Sequence, residues 1–582
     1  MMASGILLGR APREGGMSMK VVIVGGVAGG ATAAARIRRL DEGAQIVVFE
    51  RSGYVSYANC GLPYYIGGVI TDPEELTLQT PESFWQRFRV DMRVRHEVTA
   101  IHPGKKAVTV RNLDTGAEFE EHYDKLLLSP GARPTQPPLP GVACDRLFTL
   151  RTVEDTFRIR EFVTRQRPRS AILAGGGFIG LELAENLREL GLEVTIVQRP
   201  RHLLSQLDPE MAAFLHAELR QHGVRLMLGH SVEGFAPAEG GVEVLLKDEA
   251  PLRADMVVLA IGVTPDTALA KAAGLELGVK GSIVVNERME TSLPDIYAVG
   301  DAVQVRHAVS GLPAHIALAG PANKQGRIAA DNICGGDSRY PGSQGSCVLK
   351  LFALTAAATG LTETAARQAG IGCDKVYLAP ASHAGYYPGG QIMTMKVLFE
   401  QGTFRLLGAQ IVGGEGVDKR IDVLSAAIHA GLSARELESL DLAYAPPYSS
   451  AKDPVNMAGF MVDNLADGRL KQFFWDEVDA LPRDGSITLL DTRTPGEYAR
   501  GHIDGFVNLP LDELRERLEE IPRDRPVYVH CQTGLRSYVA CRILAQHGYD
   551  CYNLSGGYRL YAAVAKDRAP SPAADLCGRE RL

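Results

Sequence analysis

The sequence lacks paired cysteines, long apolar runs and a large excess of charge of either sign. Its cysteines are scattered and include no C-x-x-C pair, which argues against a disulfide framework and against a zinc site. We therefore predict a chain without a bound metal, from a reducing, cytoplasmic compartment. The cysteines are Cys60, Cys144, Cys334, Cys347, Cys373, Cys531, Cys541, Cys551 and Cys577.

Membranes and nucleic acids are poor candidates as partners. No segment reaches the roughly 20 apolar residues of a membrane span, and the apolar run at residues 6–8 is too short for a signal peptide. A net charge of -7 on 582 residues gives no electrostatic reason to expect binding to nucleic acid or to an anionic membrane. We predict that any anionic ligand is held by local clusters of residues.

The sequence is rich in glycine, with 62 residues, and two strand–glycine–helix units stand out. The first begins at Lys20 and the second at Ser170. Each is followed by another apolar strand, which ends at Glu50 in the first unit and at Gln198 in the second. This arrangement predicts two nucleotide-binding βαβ units in one chain.

The two glycine loops differ in detail. Residues 25–30 read G-G-V-A-G-G, an imperfect motif that opens an Ala-rich helix and precedes Glu50 by the spacing of a ribose-binding acid. We favour nucleotide binding here over a purely structural turn. The second loop has the full G-x-G-x-x-G pattern, but Gln198 and Arg199 stand where an acid would favour NAD, so NADH and NADPH both remain candidates.

Cys60 follows the first βαβ unit, within the segment SYANCGLPYY. A buried, inert cysteine is the alternative interpretation, because free cysteines are often simply buried. The neighbours Ser56, Asn59 and Gly61 favour a polar, turned segment over a core strand.

Several motifs together resemble the coenzyme A disulfide reductase branch of the pyridine nucleotide–disulfide oxidoreductases. They are VGGVAGGATAAARIRRL, SYANCGLPYY, SPGARP, AGGGFIGLELAE, YAVGDAV and YAPPYSSAKDPVNMAG, and the resemblance covers about residues 19–460. The later segment, including DTRTPGEYARGHIDGFVNLP, resembles a rhodanese domain. The fusion of the two parts is similar to NADH-dependent persulfide reductases.

The resemblance implies roles for individual residues. Cys60 would be the redox cysteine and Asp301 an FAD ligand, while Tyr444, with Tyr386 or Tyr387, would reach the partner subunit's active site. A substrate-contacting lysine of the family is replaced by Phe88. Coenzyme A would be contacted by Thr32, Arg36, Arg39, Ser56, Asn59 and Lys452. The nucleotide cofactors, FAD and NADH or NADPH, would be bound by Gly25, Gly26, Val27, Ala28, Gly29, Gly30, Glu50, Arg51, Gly131, Arg133, Gly175, Gly177, Phe178, Ile179, Gly180, Gln198, Arg199, Gly262, Gly300 and Asp301.

Cys531 heads a second candidate site in the loop HCQTGLRS. The backbone N–H groups of such a loop, the start of the following helix and Arg536 can all stabilise an anion, and so could cradle a persulfide. A cysteine-phosphatase loop is the competing interpretation. The upstream segment favours rhodanese by resemblance.

We predict an α/β protein with two Rossmann-like domains, an α+β dimerisation domain and a C-terminal α/β rhodanese domain. The predicted boundaries are a disordered extension at 1–18, an FAD-binding domain at 19–150 and 255–340, an NAD(P)H-binding domain at 151–254, a dimerisation domain at 341–462, a linker at 463–470, a rhodanese domain at 471–566 and a tail at 567–582.

The leading hypothesis for function is a homodimeric reductase with an active site shared across subunits. Electrons would pass from NAD(P)H through FAD to a mixed disulfide between Cys60 and coenzyme A, releasing hydrogen sulfide or free coenzyme A. One alternative is an NADH oxidase or peroxidase in which Cys60 cycles through sulfenic acid. A non-enzymatic alternative is a redox-sensing flavoprotein scaffold, which the intact cysteines at both sites disfavour.

Overall fold

The first glycine turn lies between a buried strand and a long helix. The computed structural model describes residues 18–569. The apolar residues of its first strand are buried, as expected for a strand covered on both faces. The elements up to residue 134 are β1 (Lys20–Val24), α1 (Ala28–Leu40), β2 (Gln45–Glu50), α2 (Leu62–Gly67), α3 (Pro81–Phe88), β3 (Asp91–Val94), β4 (His96–His102), β5 (Ala107–Asn112), β6 (Glu118–His122), β7 (Lys125–Leu128) and β8 (Ala132–Pro134).

The second glycine turn belongs to another parallel sheet, with strands in the order β12-β11-β10-β16-β9. Its apolar strands pack against α5 and α6 in a separate core. This segment contains β9 (Leu147–Thr149), α4 (Val153–Gln166), β10 (Ser170–Ala174), α5 (Phe178–Glu189), β11 (Glu193–Gln198), α6 (Pro209–Gln221), β12 (Arg225–Leu228), β13 (Val232–Ala238), β14 (Gly241–Leu246), β15 (Leu252–Ala254) and β16 (Met256–Leu259).

The chain then returns to the first sheet, whose strands are parallel in the order β18-β7-β1-β2-β3. Helix α8 packs along α1 on the face of that sheet. Two parallel five-stranded sheets confirm the predicted Rossmann-like architecture. The returning segment contains β17 (Val263–Pro265), α7 (Ala268–Ala272), β18 (Ile296–Ala298), β19 (Val305–Arg306), β20 (Pro313–Ala314) and α8 (Ala319–Ile333).

The third part is an antiparallel sheet of order β21-β22-β25-β24-β23, with α10 packed on β22 and β25. This sheet-and-helix arrangement is the predicted α+β domain. Its elements are β21 (Cys347–Leu351), β22 (Leu354–Gly360), α9 (Glu363–Gln368), β23 (Cys373–Leu378), β24 (Thr394–Glu400), β25 (Leu406–Gly413), α10 (Val417–His429) and α11 (Pro454–Ala466).

The last part is a parallel sheet of order β26-β30-β29-β27-β28, with its own apolar cores. Alternation of short strands and helices makes it the predicted C-terminal α/β domain. It contains β26 (Gln472–Phe473), β27 (Thr488–Asp491), α12 (Pro495–Ala499), β28 (Val507–Asn508), β29 (Val527–His530), α13 (Leu535–Gln546), β30 (Cys551–Leu554) and α14 (Gly557–Arg568).

Several predicted boundaries need correction. Strands β9 and β16 were assigned to the FAD-binding part, yet Val257 pairs with Leu147 inside the second sheet because both strands are apolar and complete that sheet beside β10. The predicted linker at 463–470 begins inside α11, where Asp463 pairs with Arg435, and ends at Leu470, which is buried in the last domain. The predicted tail at 567–582 begins within α14.

The predicted N-terminal extension lies outside the described residues except for Ser18, and so does the predicted tail from residue 570 onward. None of the helices between residues 18 and 569 combines the length and the apolar character needed to span a bilayer.

Candidate active sites

One large cleft brings the glycine turns and Cys60 together. It has a volume of about 1830 Å³ and is bordered by the first two sheets and by the domain of β21–β25. Because the predicted nucleotide sites and the thiol open into the same space, electron transfer between them needs no long path through protein. The predicted site residues that line it are Val27, Ala28, Gly29, Thr32, Glu50, Arg51, Ser56, Asn59, Cys60, Gly131, Gly177, Phe178, Ile179, Gln198, Gly262, Gly300 and Asp301.

The first glycine turn has no room for side chains at its key positions. Gly25 has a φ of +97°, and a Cβ there would lie 2.0 Å from the carbonyl oxygen of Ser129. A Cβ on Gly30 would lie 1.9 Å from the carbonyl oxygen of Gly25. Helix α1 follows without a side-chain cap at its N-terminus. Its first N–H groups are therefore available to a phosphate group in the cleft.

The second glycine turn repeats this construction. Gly175 has a φ of +116°, and a Cβ there would lie 2.3 Å from the carbonyl oxygen of Ala260. A Cβ on Gly180 would lie 2.1 Å from the carbonyl oxygen of Gly175, and α5 also begins without a side-chain cap. Arg199, directly after the strand that follows this turn, is exposed and does not line the cleft.

Glu50 and Gln198 occupy equivalent places beneath the two turns. A carboxylate oxygen of Glu50 accepts a hydrogen bond from the N–H of Gly26 at 2.9 Å, and Oε1 of Gln198 accepts one from the N–H of Gly176 at 3.0 Å. Burial raises the pKa of Glu50, against the hydrogen bonds from Gly26 and Ser52. Each side chain therefore stabilises its glycine turn through a hydrogen bond. The sequence had predicted only a contact with the ribose of the nucleotide at these positions.

Cys60 lies exposed on the cleft wall, in a turn directly before α2. Helix α2 packs closely on α5, because a Cβ on Gly67 would lie 1.9 Å from Oδ1 of Asn186. Helix α5 starts at the second glycine turn. This packing fixes the thiol relative to the second predicted nucleotide site.

The surroundings of Cys60 disfavour its thiolate. Although the residue is exposed, the cleft wall partly desolvates its sulfur, which raises the pKa of the thiol. The negative charges of Glu182 and Asp301 raise this pKa further, and Arg151 lowers it. Glu182 lines the cleft, and its own pKa is raised to about 7 by burial and by the charge of Glu185. The sequence analysis did not select Glu182. Its position one helical turn after Phe178 in the second glycine motif was the available signal.

A second cysteine, Cys347, also lines the cleft. Burial raises its pKa to about 11, so it is a thiol rather than a nucleophilic thiolate at neutral pH. Of the two cleft cysteines, Cys60 is the more exposed.

The residues predicted to contact coenzyme A divide into two groups. Thr32, Ser56 and Asn59 line the cleft beside Cys60. Thr32 donates a hydrogen bond to Oδ1 of Asn323 at 2.6 Å, which makes Asn323, at the start of α8, a cleft residue that the sequence analysis missed. The second group lies outside the cleft lining and consists of Arg36, Arg39 and Lys452. Arg36 forms an ion pair with Asp331 at 2.7 Å. Arg133, which was predicted to bind a cofactor, also lies outside the lining.

The predicted tyrosines form an exposed aromatic group away from the cleft of their own subunit. The hydroxyl oxygens of Tyr386 and Tyr444 lie 2.6 Å apart, and the residues are 75% and 46% exposed. Tyr387 packs its ring against His383. Their reach into a partner subunit stays a prediction.

Cys531 is completely buried at the base of a tight loop between β29 and α13. Its Sγ accepts hydrogen bonds from the N–H of Gly534 at 3.2 Å and from the hydroxyl of Ser537 at 3.3 Å. A Cβ on Gly557 would lie 2.7 Å from the carbonyl oxygen of Cys531, so the following turn closes against the loop. The loop therefore directs two hydrogen-bond donors at this sulfur.

Arg536 is engaged by a carboxylate. Its guanidinium donates to both carboxylate oxygens of Glu497, at 2.6 and 2.8 Å, and this pairing lowers the pKa of Glu497 to about 2. The pair is therefore charged throughout the neutral range. The predicted contact of Arg536 with a persulfide at Cys531 stays a prediction.

A buried ion pair between Arg493 and Asp491 contacts the Cys531 loop at Gln532. Arg493 donates to both carboxylate oxygens of Asp491, the shortest contact being 2.7 Å, and to Oε1 of Gln532 at 3.3 Å. Burial lowers the pKa of the adjacent His530 to about 4, so its ring is neutral at neutral pH. The segment D-T-R at 491–493 was not among the predicted site residues.

Comparison with protein-family models assigns the chain to a family. The model for the pyridine nucleotide-disulphide oxidoreductases matches residues 19–326, and the dimerisation-domain model of the same family matches residues 348–454. The chain belongs to this family. A rhodanese-like domain model matches residues 474–563, which makes the chain a fusion of a pyridine nucleotide-disulphide oxidoreductase with a rhodanese-like domain.

Individual relatives agree with this assignment. A coenzyme A disulfide reductase of Staphylococcus aureus is 37% identical over 442 residues, which cover 76% of this chain and 99% of that protein. The structure of reduced CoADR-RHD from Bacillus anthracis has a TM-score of 0.92 and 47% identity, covering 95% of this chain and 99% of its own. A NAD-dependent persulfide reductase from A. fulgidus has a TM-score of 0.88 and 38% identity, covering 93% and 100%.

Membership of the family implies FAD and NAD(P)H as cofactors, and the cleft fits both. Each glycine turn leaves helix N–H groups uncapped beside a backbone too tight for side chains, as a pyrophosphate requires. The protein is thus an NAD(P)H-dependent flavoprotein reductase.

Proposed function

We propose that this reductase acts on disulfides or persulfides of coenzyme A through Cys60. The observation that carries the proposal is the exposed Cys60, free of any disulfide in the described chain, in the cleft that both glycine turns share. Cys347 is the other cysteine of the cleft lining, but burial raises its pKa to about 11, so we infer that the substrate supplies the second sulfur of any disulfide formed at Cys60. The names of the Staphylococcus aureus and A. fulgidus relatives support coenzyme A and persulfide chemistry.

The proposed cycle has two balanced steps. The Cys60 thiolate attacks coenzyme A persulfide, so that a Cys60–coenzyme A disulfide forms and HS⁻ leaves; with coenzyme A disulfide, the coenzyme A thiolate leaves instead. Two electrons and one proton then return the Cys60 thiolate and release coenzyme A as its thiol. FAD would supply the two-electron link from NAD(P)H. Glu182, with a pKa of about 7, can hold a proton beside this site.

Four polar residues on the cleft wall that carries Cys60 would orient the coenzyme A end of the substrate through their hydroxyl and amide groups. They are Thr32, Ser56, Asn59 and Asn323. The ion pair between Arg36 and Asp331 would have to open before Arg36 could bind a phosphate group. We place Arg36, Arg39 and Lys452 at the outer end of this site.

We further propose that Cys531 carries sulfane sulfur and transfers it to a thiol acceptor. The acceptor persulfide formed in this way would then be attacked by the Cys60 thiolate, with HS⁻ as the leaving group. The supporting geometry is the loop that directs the N–H of Gly534 and the hydroxyl of Ser537 at Sγ. The protein would act as a homodimer, with Tyr386 and Tyr444 of one subunit at the partner's Cys60 site. The dimerisation-domain match and the exposure of both tyrosines support this arrangement.

The deciding experiment is intact-protein and peptide mass spectrometry of the FAD-loaded enzyme after incubation with coenzyme A disulfide, before and after NADH or NADPH. We expect a coenzyme A adduct on the peptide that contains Cys60 and its loss on reduction. Cys144→Ser is the matched cysteine control and should retain the adduct. An oxidised Cys60 that carries oxygen but never coenzyme A would instead identify an oxidase or peroxidase.

A further inference from the structure

We propose that the last helix of the rhodanese-like domain positions the NAD(P)H-binding turn, acting from Asp567 through His216. Asp567 lies on α14, whereas His216 lies on α6 of the second parallel sheet's domain. The inference rests on the use of NAD(P)H and is independent of which sulfur compound is reduced. It makes Asp567 and His216 positioning residues of the reductase reaction.

The first link joins the two domains. Nδ1 of His216 lies 2.8 Å from Oδ2 of Asp567, and the other carboxylate oxygen accepts a hydrogen bond from Arg220 at 2.6 Å. The His216 ring is completely buried. Its Nε2 accepts a hydrogen bond from the N–H of Leu203 at 3.1 Å, so the ring proton resides on Nδ1 and is donated to Asp567. Asp567 therefore fixes the tautomer and the orientation that Leu203 requires.

The second link joins Leu203 to the glycine turn. The next residue, Leu204, donates its N–H to the carbonyl oxygen of Gly176 at 2.9 Å. The side chain of Leu203 lies against Gly176, because a Cβ on that glycine would be 2.1 Å from Cδ2 of Leu203. Gly176 lines the cleft, and so do the two residues after Leu204, which are Ser205 and Gln206. A shift at Leu203 would therefore move both the turn and one wall of the nucleotide site.

The backbone at this point needs external support. Leu204 has a φ of +52° and is almost fully buried. A branched side chain rarely adopts this left-handed conformation, which persists only where the surroundings enforce it. The hydrogen bond from Leu203 to His216 is one such constraint, at the residue immediately before.

The far end of the same segment is held by the dimerisation domain. The N–H of Asp208 donates to Oε1 of Gln410 at 2.7 Å, and its carboxylate pairs with the buried Lys396 at 2.7 Å. Lys396 also binds Glu210 and Glu363, so the ammonium group occupies the middle of this carboxylate cluster. The segment 203–208 is thus held at both ends, and the hydrogen-bond acceptor nearest the glycine turn is His216 of α6, which Asp567 of α14 orients.

Three full-length, FAD-loaded variants test the proposal: Asp567→Ala, Asp567→Asn and Arg220→Gln. Asp567→Ala removes the acceptor for His216, so the Kd for NADH or NADPH, measured from the concentration dependence of flavin bleaching, should rise roughly tenfold, the effect of losing one charge-assisted hydrogen bond. The limiting bleaching rate should change little. Asp567→Asn keeps a neutral acceptor oxygen for His216, so its Kd should lie between those of Asp567→Ala and the parent protein. Arg220→Gln removes only the half-exposed partner and should bind like the parent protein.

Amide hydrogen exchange gives a readout that does not depend on activity. In Asp567→Ala, residues 203–206 should lose protection, while α1 and the bound FAD absorbance stay unchanged. An unchanged Kd together with unchanged exchange would overturn the proposal, and so would an equal loss of binding in Arg220→Gln. If Asp567→Ala folds poorly, the Kd and the amide hydrogen exchange are measured on Asp567→Ser instead. Because bleaching needs no sulfur substrate, failure here leaves the coenzyme A proposal standing.

Discussion

The two candidate reactive cysteines are held in opposite ways. Cys60 is exposed on the wall of a cleft that three folded parts of the chain assemble. Partial desolvation by the cleft wall and two acidic side chains raise the pKa of its thiol. Cys531 is fully buried in a loop of a single domain, and a backbone N–H and a hydroxyl donate hydrogen bonds to its sulfur. The groups that surround the Cys60 sulfur thus come from distant elements, whereas those that surround the Cys531 sulfur come from its own loop.

The first test of this contrast removes the cleft thiol. Cys60→Ser should abolish NAD(P)H oxidation driven by coenzyme A disulfide or persulfide, because the turn before α2 contains no other cysteine. Bleaching of the flavin by NAD(P)H should survive. Steady-state assays and stopped-flow absorbance measure the two activities. Full substrate-driven turnover in Cys60→Ser would remove this residue from the mechanism, and Cys144→Ser serves as the control.

Removing the buried thiol should have an equally complete but narrower effect. Cys531→Ser should abolish sulfur transfer from thiosulfate or a protein persulfide, since the loop hydrogen bonds act on this sulfur alone. Reduction of free coenzyme A persulfide should remain nearly intact. If sulfide release from small persulfides stops as completely as in Cys60→Ser, the two cysteines belong to an obligatory relay and are not separable.

A smaller effect is expected at the exposed tyrosines. Tyr444→Phe removes a hydroxyl that lies 2.6 Å from that of Tyr386 and should slow turnover about tenfold, the effect of one hydrogen bond to a developing charge, without loss of FAD. Tyr448→Phe, in the same loop and 72% exposed, is the matched control. Equal rates in the two variants would exclude Tyr444 from the partner's site.

Glu497→Gln should change donor preference at Cys531. The ion pair with Glu497 neutralises Arg536, so its removal should free the guanidinium for an anionic donor and raise the thiosulfate-dependent rate severalfold. Glu513→Gln, which breaks an exposed pair with Arg517 in the same domain, is the control. An unchanged rate would show that Arg536 does not contact the donor.

The smallest expected effect is a shift in the pH dependence of Cys60. Because its pKa is raised above the ordinary value of 9.0, alkylation of Cys60 by iodoacetamide should accelerate with a midpoint above that pH. Glu182 titrates near pH 7, so above neutrality its negative charge opposes the thiolate. Glu182→Gln should therefore move the alkylation midpoint to lower pH. A midpoint that does not move would exclude this charge effect.

The features that the sequence predicted well are local. Gly25 and Gly175 occupy turns between a strand and the helix that follows it, and the positive φ and close contacts at these turns require glycine. The parallel sheets follow from apolar strands that alternate with helices. The Cys531 loop is likewise formed by residues a few positions apart.

The errors lie where distant segments meet. The boundaries at 150 and 254 failed because β9 and β16 complete the second sheet beside β10, a choice of strand neighbour that periodicity does not encode. Glu182 and Asn323 became cleft residues only through packing of α5 on α2 and of α8 on α1.

The sequence by itself determined the two nucleotide turns, the cysteine at each candidate site and the order of the domains, because each depends on short-range backbone geometry and residue type. Tertiary structure alone decided which residues meet across domains. Asp567 and His216 are 351 positions apart, and their contact exists because α14 packs on α6. Tertiary structure also raises the pKa of Cys60, since the charges of Glu182 and Asp301 that act on it come from elements far along the chain.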